Sequence, residues 1–428
     1  MLQPTQDWTK ASHSVRNLRS AGRLNHRRPK LVQLWVILLL LGTFGAAGCR
    51  GTEPPASLAS PPALSEAEAQ SILAESWQAY QQRFIQGDGR VIDFEAGDRT
   101  VSEGQAYAML RAVLIDDPDT FERTLNWAES NLRQRRPDGQ VSSQLWAWKW
   151  GQQETGEWGV IDANFASDAD IDTAFALILA ARRWQRSDYL ELARAKLAEL
   201  WAESTVEVKG RRYLLPGPAV AFQTDTHVYL NPSYLAPYAF RVFAEVDRDR
   251  DWMQLVDSSY RMLEKSADLS DLKLPGDWVA LNIDSGRFEP IPASSDSDLK
   301  NQYGFDAYRV WWRIAWDEAL FDARPARKYL RDHMRPLQEM WLADQMIPAE
   351  FDLAGQPLVE YDTIAQYAML YIGWQVINPA IAADVYQRKI TPQYQAGIWD
   401  NESAYYSQNL VWFALFPTAE VQTLLQAP

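Results

Sequence analysis

Between residues 66 and 416 the chain alternates short polar junctions with stretches in which apolar residues recur every three or four positions, the spacing of a helix with one buried face. Such stretches lie near 66–86, 103–116, 119–135, 168–186, 188–203, 232–246, 249–266, 306–322, 324–343, 360–376, 378–389 and 402–416. Pro137-Asp138-Gly139, Pro275-Gly276-Asp277 and Gly355-Gln356-Pro357 punctuate the pattern as turns. Only Val206 to Leu215, around Lys209-Gly210, has the alternation of a hairpin. Helices taken in consecutive pairs fit a ring of six helical hairpins. The pattern therefore predicts an all-α fold, an (α/α)6 barrel with a small β-hairpin insertion.

The N-terminus is different in kind. Lys10, Arg16, Arg19, Arg23, Arg27, Arg28 and Lys30 precede an apolar run from Leu31 to Gly48, as the basic and apolar regions of an export signal do. The run is also long enough to span a bilayer if it stays uncleaved. It ends Ala46-Ala47-Gly48-Cys49, and Cys49 is the one cysteine of the chain. Small residues directly before a lone cysteine resemble a bacterial lipoprotein processing site, except that Ala46 stands where such sites usually carry Leu. Residues 1–48 are thus expected to be an export signal or membrane anchor. The outcomes left open are lipid on Cys49, ordinary cleavage, or a retained anchor. Residues 49–65 read as a Pro- and Ser-rich tether. No second linker follows, so 66–428 reads as one catalytic-sized domain, expected in the periplasm or cell envelope.

A hydrophobic content of 47% against 23% charged residues is enough for a large core. One cysteine permits neither an internal disulfide nor a thiolate metal cluster. Residues 1–48 hold seven bases and one acid, which leaves 35 bases against 55 acids in the remainder, a net charge near −20. That charge repels nucleic acid and other polyanions, and favours a neutral or cationic substrate. Aromatic residues are dense, with 19 Trp, 18 Tyr and 15 Phe. Most are expected to pack the core, but Trp146, Trp148 and Trp150 come in a loop-like stretch, where flat rings can floor a sugar-binding cleft.

Three segments share one plan, an acid at a helix start among aromatics. Ala166 to Trp184 sets Asp168, Asp170 and Asp172 at the head of an apolar helix, with Asp168 and Asp172 on one face. Ser102 to Met109 offers Ser102 as an N-cap and Glu103 in the first turn. Tyr303 to Arg313 has Asp306 opening a helix, with Arg309 three residues on. Outside the export segment the histidines are His227 and His333, too few for a His-rich zinc centre. Neither a Gly-Lys-Ser phosphate loop nor a dinucleotide fingerprint is present. Acid and base work by carboxylates remains, with no cofactor expected.

These three segments resemble the signature segments of family 8 glycoside hydrolases, inverting enzymes on an (α/α)6 barrel. The likeness is nearest to the periplasmic endoglucanase branch that accompanies bacterial cellulose synthesis. Trp148-Lys149-Trp150-Gly151, Asn231-Pro232-Ser233-Tyr234-Leu235-Ala236-Pro237, Leu274-Pro275-Gly276-Asp277-Trp278-Val279 and Tyr405-Tyr406-Ser407-Gln408-Asn409-Leu410 extend it in the family's order. Thr173, Ala106, Ala108 and Ser407 depart from the usual residues, and none of the four removes a carboxylate. The resemblance implies Glu103 as general acid, Asp306 as general base and Asp168 as the acid that grips the sugar at the cleavage point. It further implies Trp148, Arg309 and Tyr406 as substrate-binding residues. The activity implied is an endo-β-1,4-glucanase on a β-linked polysaccharide. Chitosanase, xylanase and a non-catalytic glycan-binding protein are the alternatives. A monomer is expected, with membrane attachment through the N-terminus and association with cellulose synthesis machinery as possible partnerships.

Overall fold

The computed structural model describes residues 64–136, 138, 140–293 and 299–427. The expected export segment, Cys49 and almost all of the tether lie outside the described residues. The helices are α1 (Glu66–Phe84), α2 (Ser102–Leu114), α3 (Pro118–Asn131), α4 (Ser167–Trp184), α5 (Ser187–Glu203), α6 (Ala219–Phe222), α7 (Pro237–Val246), α8 (Met253–Ala267), α9 (Tyr308–Phe321), α10 (Arg324–His333), α11 (Arg335–Asp344), α12 (Ile364–Ile377), α13 (Pro379–Val385), α14 (Tyr405–Leu415) and α15 (Thr418–Gln426). Among the described residues, no helix is long and apolar enough to cross a membrane.

Helices α2, α4, α7, α9, α12 and α14 close a ring, each packed on the next and α14 on α2. Helices α3, α5, α8, α10, α13 and α1 back them in the same order. This is the (α/α)6 barrel that the paired helices predict. Composition separates the two layers. Inner helices are covered on every side and so bury residues all round, as in α12, where Ile364 through Trp374 are all buried. Outer helices bury one stripe, such as Phe121, Thr124, Leu125 and Ala128 of α3.

Side chains lock the ring across its interior. Asp172 of α4 lies on Arg313 of α9, with Nη2 to Oδ2 at 2.7 Å, and Arg313 also donates to the Tyr238 hydroxyl of α7 at 2.7 Å. Both members of the ion pair are wholly buried. Breaking a buried pair strands one charge in a dry interior, which costs about 3–5 kcal/mol. Asp172→Ala is expected to lower unfolding stability by that amount, read from the urea midpoint at unchanged m-value.

The sheets exceed what the sequence reading anticipated. Trp146 to Trp150 belong not to a loop but to a strand. β1 (Thr100–Val101), β2 (Arg133–Arg135), β3 (Val141–Gln152) and β4 (Trp158–Phe165) form an antiparallel sheet centred on β3. The alternation of Trp146, Trp148 and Trp150 with Ala147, Lys149 and Gly151 is the period-two signal that marks it. The expected hairpin is present as β5 (Thr205–Val208) and β6 (Arg211–Leu214), turning through Lys209 and Gly210, both at positive φ. β7 (His227–Leu230), β8 (Val279–Asn282) and β9 (Phe288–Glu289) make a further antiparallel sheet.

Several helix boundaries move for identifiable reasons. The 119–135 stretch stops being helical at Asn131 because Arg133–Arg135 pair with β3. The 232–246 stretch opens as a 3-10 turn over Pro232–Tyr234, and α7 restarts at Pro237. The 324–343 stretch divides at Met334, since Pro336 has no N–H to continue α10 and sits instead in the first turn of α11.

Candidate active site

The sheet and the barrel meet at one mouth. Strand β1 pairs with β3 and runs directly into α2, while β4, on the other edge of β3, leads into α4 after one residue. Glu103 and Asp168 therefore enter the same end of the ring, each in the first turn of an inner helix.

Ser102 does not cap α2 as expected. It is the first helical residue, and Val101 ahead of it supplies no side-chain cap. Every other residue of α2 is buried, so Glu103 is the single point at which this helix reaches solvent, with 18% of its side chain accessible. Its Oε2 lies on Arg309 Nη1, and its Oε1 accepts the Tyr405 hydroxyl at 3.0 Å. Burial pushes the Glu103 carboxyl up to about 7. The Arg309 guanidinium pulls it down, and the neighbouring Asp168 charge adds to the rise.

Asp168, almost wholly buried, places Oδ2 at 2.8 Å from the same Arg309 nitrogen and accepts the Ala169 N–H through Oδ1. Asp170 and Asp172 leave the mouth, as the sequence reading allowed. Two positions along a helix is roughly half a turn, so Asp170 points away from both neighbours. It accepts the Trp146 backbone N–H of β3 and stands 3.6 Å from Lys196 of α5. Burial raises it to about 7 despite that lysine. Its work is to pin the sheet to the barrel.

Asp306 lies in the turn before α9, not in its first turn as anticipated; the helix begins at Tyr308. Its Oδ1 is 2.8 Å from Arg309 Nη2. The turn rests on Asp277, whose buried carboxyl accepts the Ala307 N–H at 2.9 Å and the Gln302 amide at 3.1 Å. Gly304 makes this possible, because a Cβ there would stand 2.8 Å from Asp277 Oδ2. Burial raises Asp306 as well, opposed chiefly by Arg309. The two groups thus share the direction of shift.

Arg309 joins all three acids. Only 2% of its side chain is accessible, and its two terminal nitrogens hold Glu103, Asp168, Asp306 and the Ser233 hydroxyl. The residue expected to bind substrate is therefore first the counterion of the site. Tyr406 is half-buried, and its hydroxyl donates to the Phe305 carbonyl at 2.7 Å, which braces the Asp306 turn. Trp148 is nearly buried on β3, with Lys149 Nζ 5.3 Å from its ring centroid. Sequence reasoning missed Tyr405, Ser233, Asn231 and Asp277 as members of the site. Each stands inside a motif already noted, but no local spacing ties Asp277, Ser233 or Asn231 to Asp306 tens of residues on, or Tyr405 to Glu103 across 302 residues.

A six-hairpin barrel whose mouth gathers one proton-holding carboxyl and two further carboxylates on a common guanidinium is the scaffold of a glycoside hydrolase. Residues 61–416 match glycosyl hydrolases family 8, and the chain belongs to that family. It is 33% identical over 315 residues to an endoglucanase of Xanthomonas axonopodis pv. citri, covering 73% of this chain and 75% of the relative. With an endoglucanase of Escherichia coli K12 it shares 31% over 281 residues, 65% of this chain and 71% of that one. The solved endo-1,4-D-glucanase from Vibrio fischeri ES114 superposes with a TM-score of 0.65 at 26% identity, over 79% of this chain and 93% of its own.

Proposed function

We propose that this family 8 hydrolase is an endo-β-1,4-glucanase that cleaves cellulose-like chains with inversion, using Glu103 as general acid and Asp306 as general base. The observation that carries the assignment is the division of labour around Arg309. Glu103 holds its proton to about 7 and is the group of α2 open to solvent. Asp306 faces the same guanidinium through its other terminal nitrogen. In the reaction Glu103 gives its proton to the glycosidic oxygen as the bond from that oxygen to the anomeric carbon breaks. Asp306 takes a proton from water as the water oxygen bonds to the opposite face of that carbon. One turnover leaves Glu103 ionised and Asp306 protonated, and exchange with solvent resets both. Asp168 accepts hydrogen bonds from hydroxyls of the sugar at the cleavage point, and Arg309 offsets the charge of the carboxylates gathered on it.

Reducing-end release from carboxymethylcellulose, mixed-linkage glucan, chitosan and xylan tests the substrate. Carboxymethylcellulose or mixed-linkage glucan is expected to be cut fastest, and faster cleavage of chitosan or xylan overturns the glucanase reading. Proton NMR of the first product tests the stereochemistry, with the α anomer expected and the β anomer contradicting inversion. The reading includes export, from the basic and apolar N-terminal regions, with lipid on Cys49 to be sought by mass spectrometry of the mature N-terminus.

A further inference from the structure

The turn Asn231-Pro232-Ser233-Tyr234 between β7 and α7 carries a polar chain with a defined direction. Arg309 only donates, so the Ser233 hydroxyl, 3.0 Å from Arg309 Nη2, accepts there and must pass its own hydrogen on. It does so to Asn231 Oδ1 at 2.7 Å, and the same oxygen accepts the Ser233 backbone N–H at 2.9 Å. Two donors on one oxygen settle which end of the Asn231 amide is which. The Nδ2 end is therefore turned away from Ser233. That nitrogen is buried on a residue only 2% exposed and makes no well-formed hydrogen bond to protein. It faces the Asp306 carboxylate and favours its ionised form.

We propose that Asn231 is the positioning residue of the general base, its amide oriented by Ser233 so that Nδ2 presents its hydrogens to the Asp306 carboxylate and to what that carboxylate binds. A buried donor without a protein partner is costly unless it is satisfied when the site works. A carboxylate that must accept a proton in the transition state offers the matching acceptor, directly or through a water shared between the two. The inference rests on Asp306 being the base.

Asp306 is faced by charged or titratable groups from every side of the mouth. They are Arg309 of α9, Asp168 of α4, Glu103 of α2, Tyr234 beside Asn231, Tyr406 of α14 and Asp277 beneath the turn. None of these changes in an Asn231 variant. The acid limb of the kcat/KM profile, which reports the free enzyme's base, is therefore a specific readout. Asn231→Asp keeps the oxygen that Ser233 needs but replaces the donor by a carboxyl facing Asp306. Its acid limb is expected to move up by about one pH unit or more. Asn231→Ala removes the donor without adding charge and should move the limb the same way by less. KM is expected to stay within about threefold, and thermal unfolding verifies that each variant is folded. A purely structural asparagine would lower the melting temperature and leave the limb in place. Asp306→Asn separates the two possible failures. If that variant is inactive while both Asn231 variants keep the wild-type acid limb, the role of Asn231 is overturned and the base assignment stands. If Asp306→Asn keeps near wild-type turnover, the base assignment itself fails.

Discussion

Glu103→Gln is expected to lower kcat on an unactivated β-glucan by roughly 10²- to 10⁴-fold, the range that a positioned general acid contributes. Glutamine keeps the oxygen that accepts from Arg309 and fills the same space, so the variant should fold and bind glucan with little change in KM. The chemistry predicts a selective rescue. A cello-oligosaccharide with a dinitrophenyl leaving group departs without protonation, so its cleavage should be nearly as fast as in the wild type. The pH profile carries a second signature. Because burial holds Glu103 at about 7, wild-type kcat/KM should fall as pH rises through that value, and the fall should vanish in Glu103→Gln. Stability follows from the same shift. The folded value lies above the ordinary value of 4.5, so between the two the folded protein keeps a proton that the unfolded chain has released. This group's contribution to stability therefore declines as pH rises from 4.5 to about 7. At pH 8 the Gln variant should melt no lower than the wild type, and a large loss there would mean that the carboxylate is structural.

Asp306→Asn is expected to lose a similar factor, roughly 10²- to 10⁴-fold in kcat, with no rescue by the activated leaving group. Activating water is still required when departure is easy, so the two variants separate acid from base without reference to any relative. Asparagine retains an oxygen for Arg309 Nη2 and leaves the Ala307 N–H on Asp277, so the turn should persist. If the Asn variant recovers on the dinitrophenyl substrate as Glu103→Gln does, the assignment of roles is wrong.

The helical ring was legible because apolar residues recur every three or four positions in a dozen consecutive stretches, which pair into six helical hairpins. The sheet was not, although Pro137-Asp138-Gly139 stands just ahead of β3 in the sequence, because the alternate tryptophans of β3 read as aromatic clustering. The proline breaks at Pro237 and Pro336 were present in the sequence and outweighed there by apolar periodicity. The signature acids were found from their positions at helix starts, but the partners that set their protonation were not. Tyr405 reaches Glu103 across 302 residues, and Arg309 reaches Asp168 across 141.

Local spacing by itself determined that Asp168 and Asp172 share one face of their helix while Asp170 does not, and that Arg309 and Arg313 share one face of theirs. The period of the helix imposes both, whatever surrounds it. Only the tertiary structure decided that the two faces meet across the barrel, Asp168 on Arg309 and Asp172 on Arg313, one turn deeper. That step in depth separates function from structure. At the mouth the guanidinium is shared with Glu103 and Asp306, which keep some access to water, whereas one turn down the same pairing is sealed and holds the ring together.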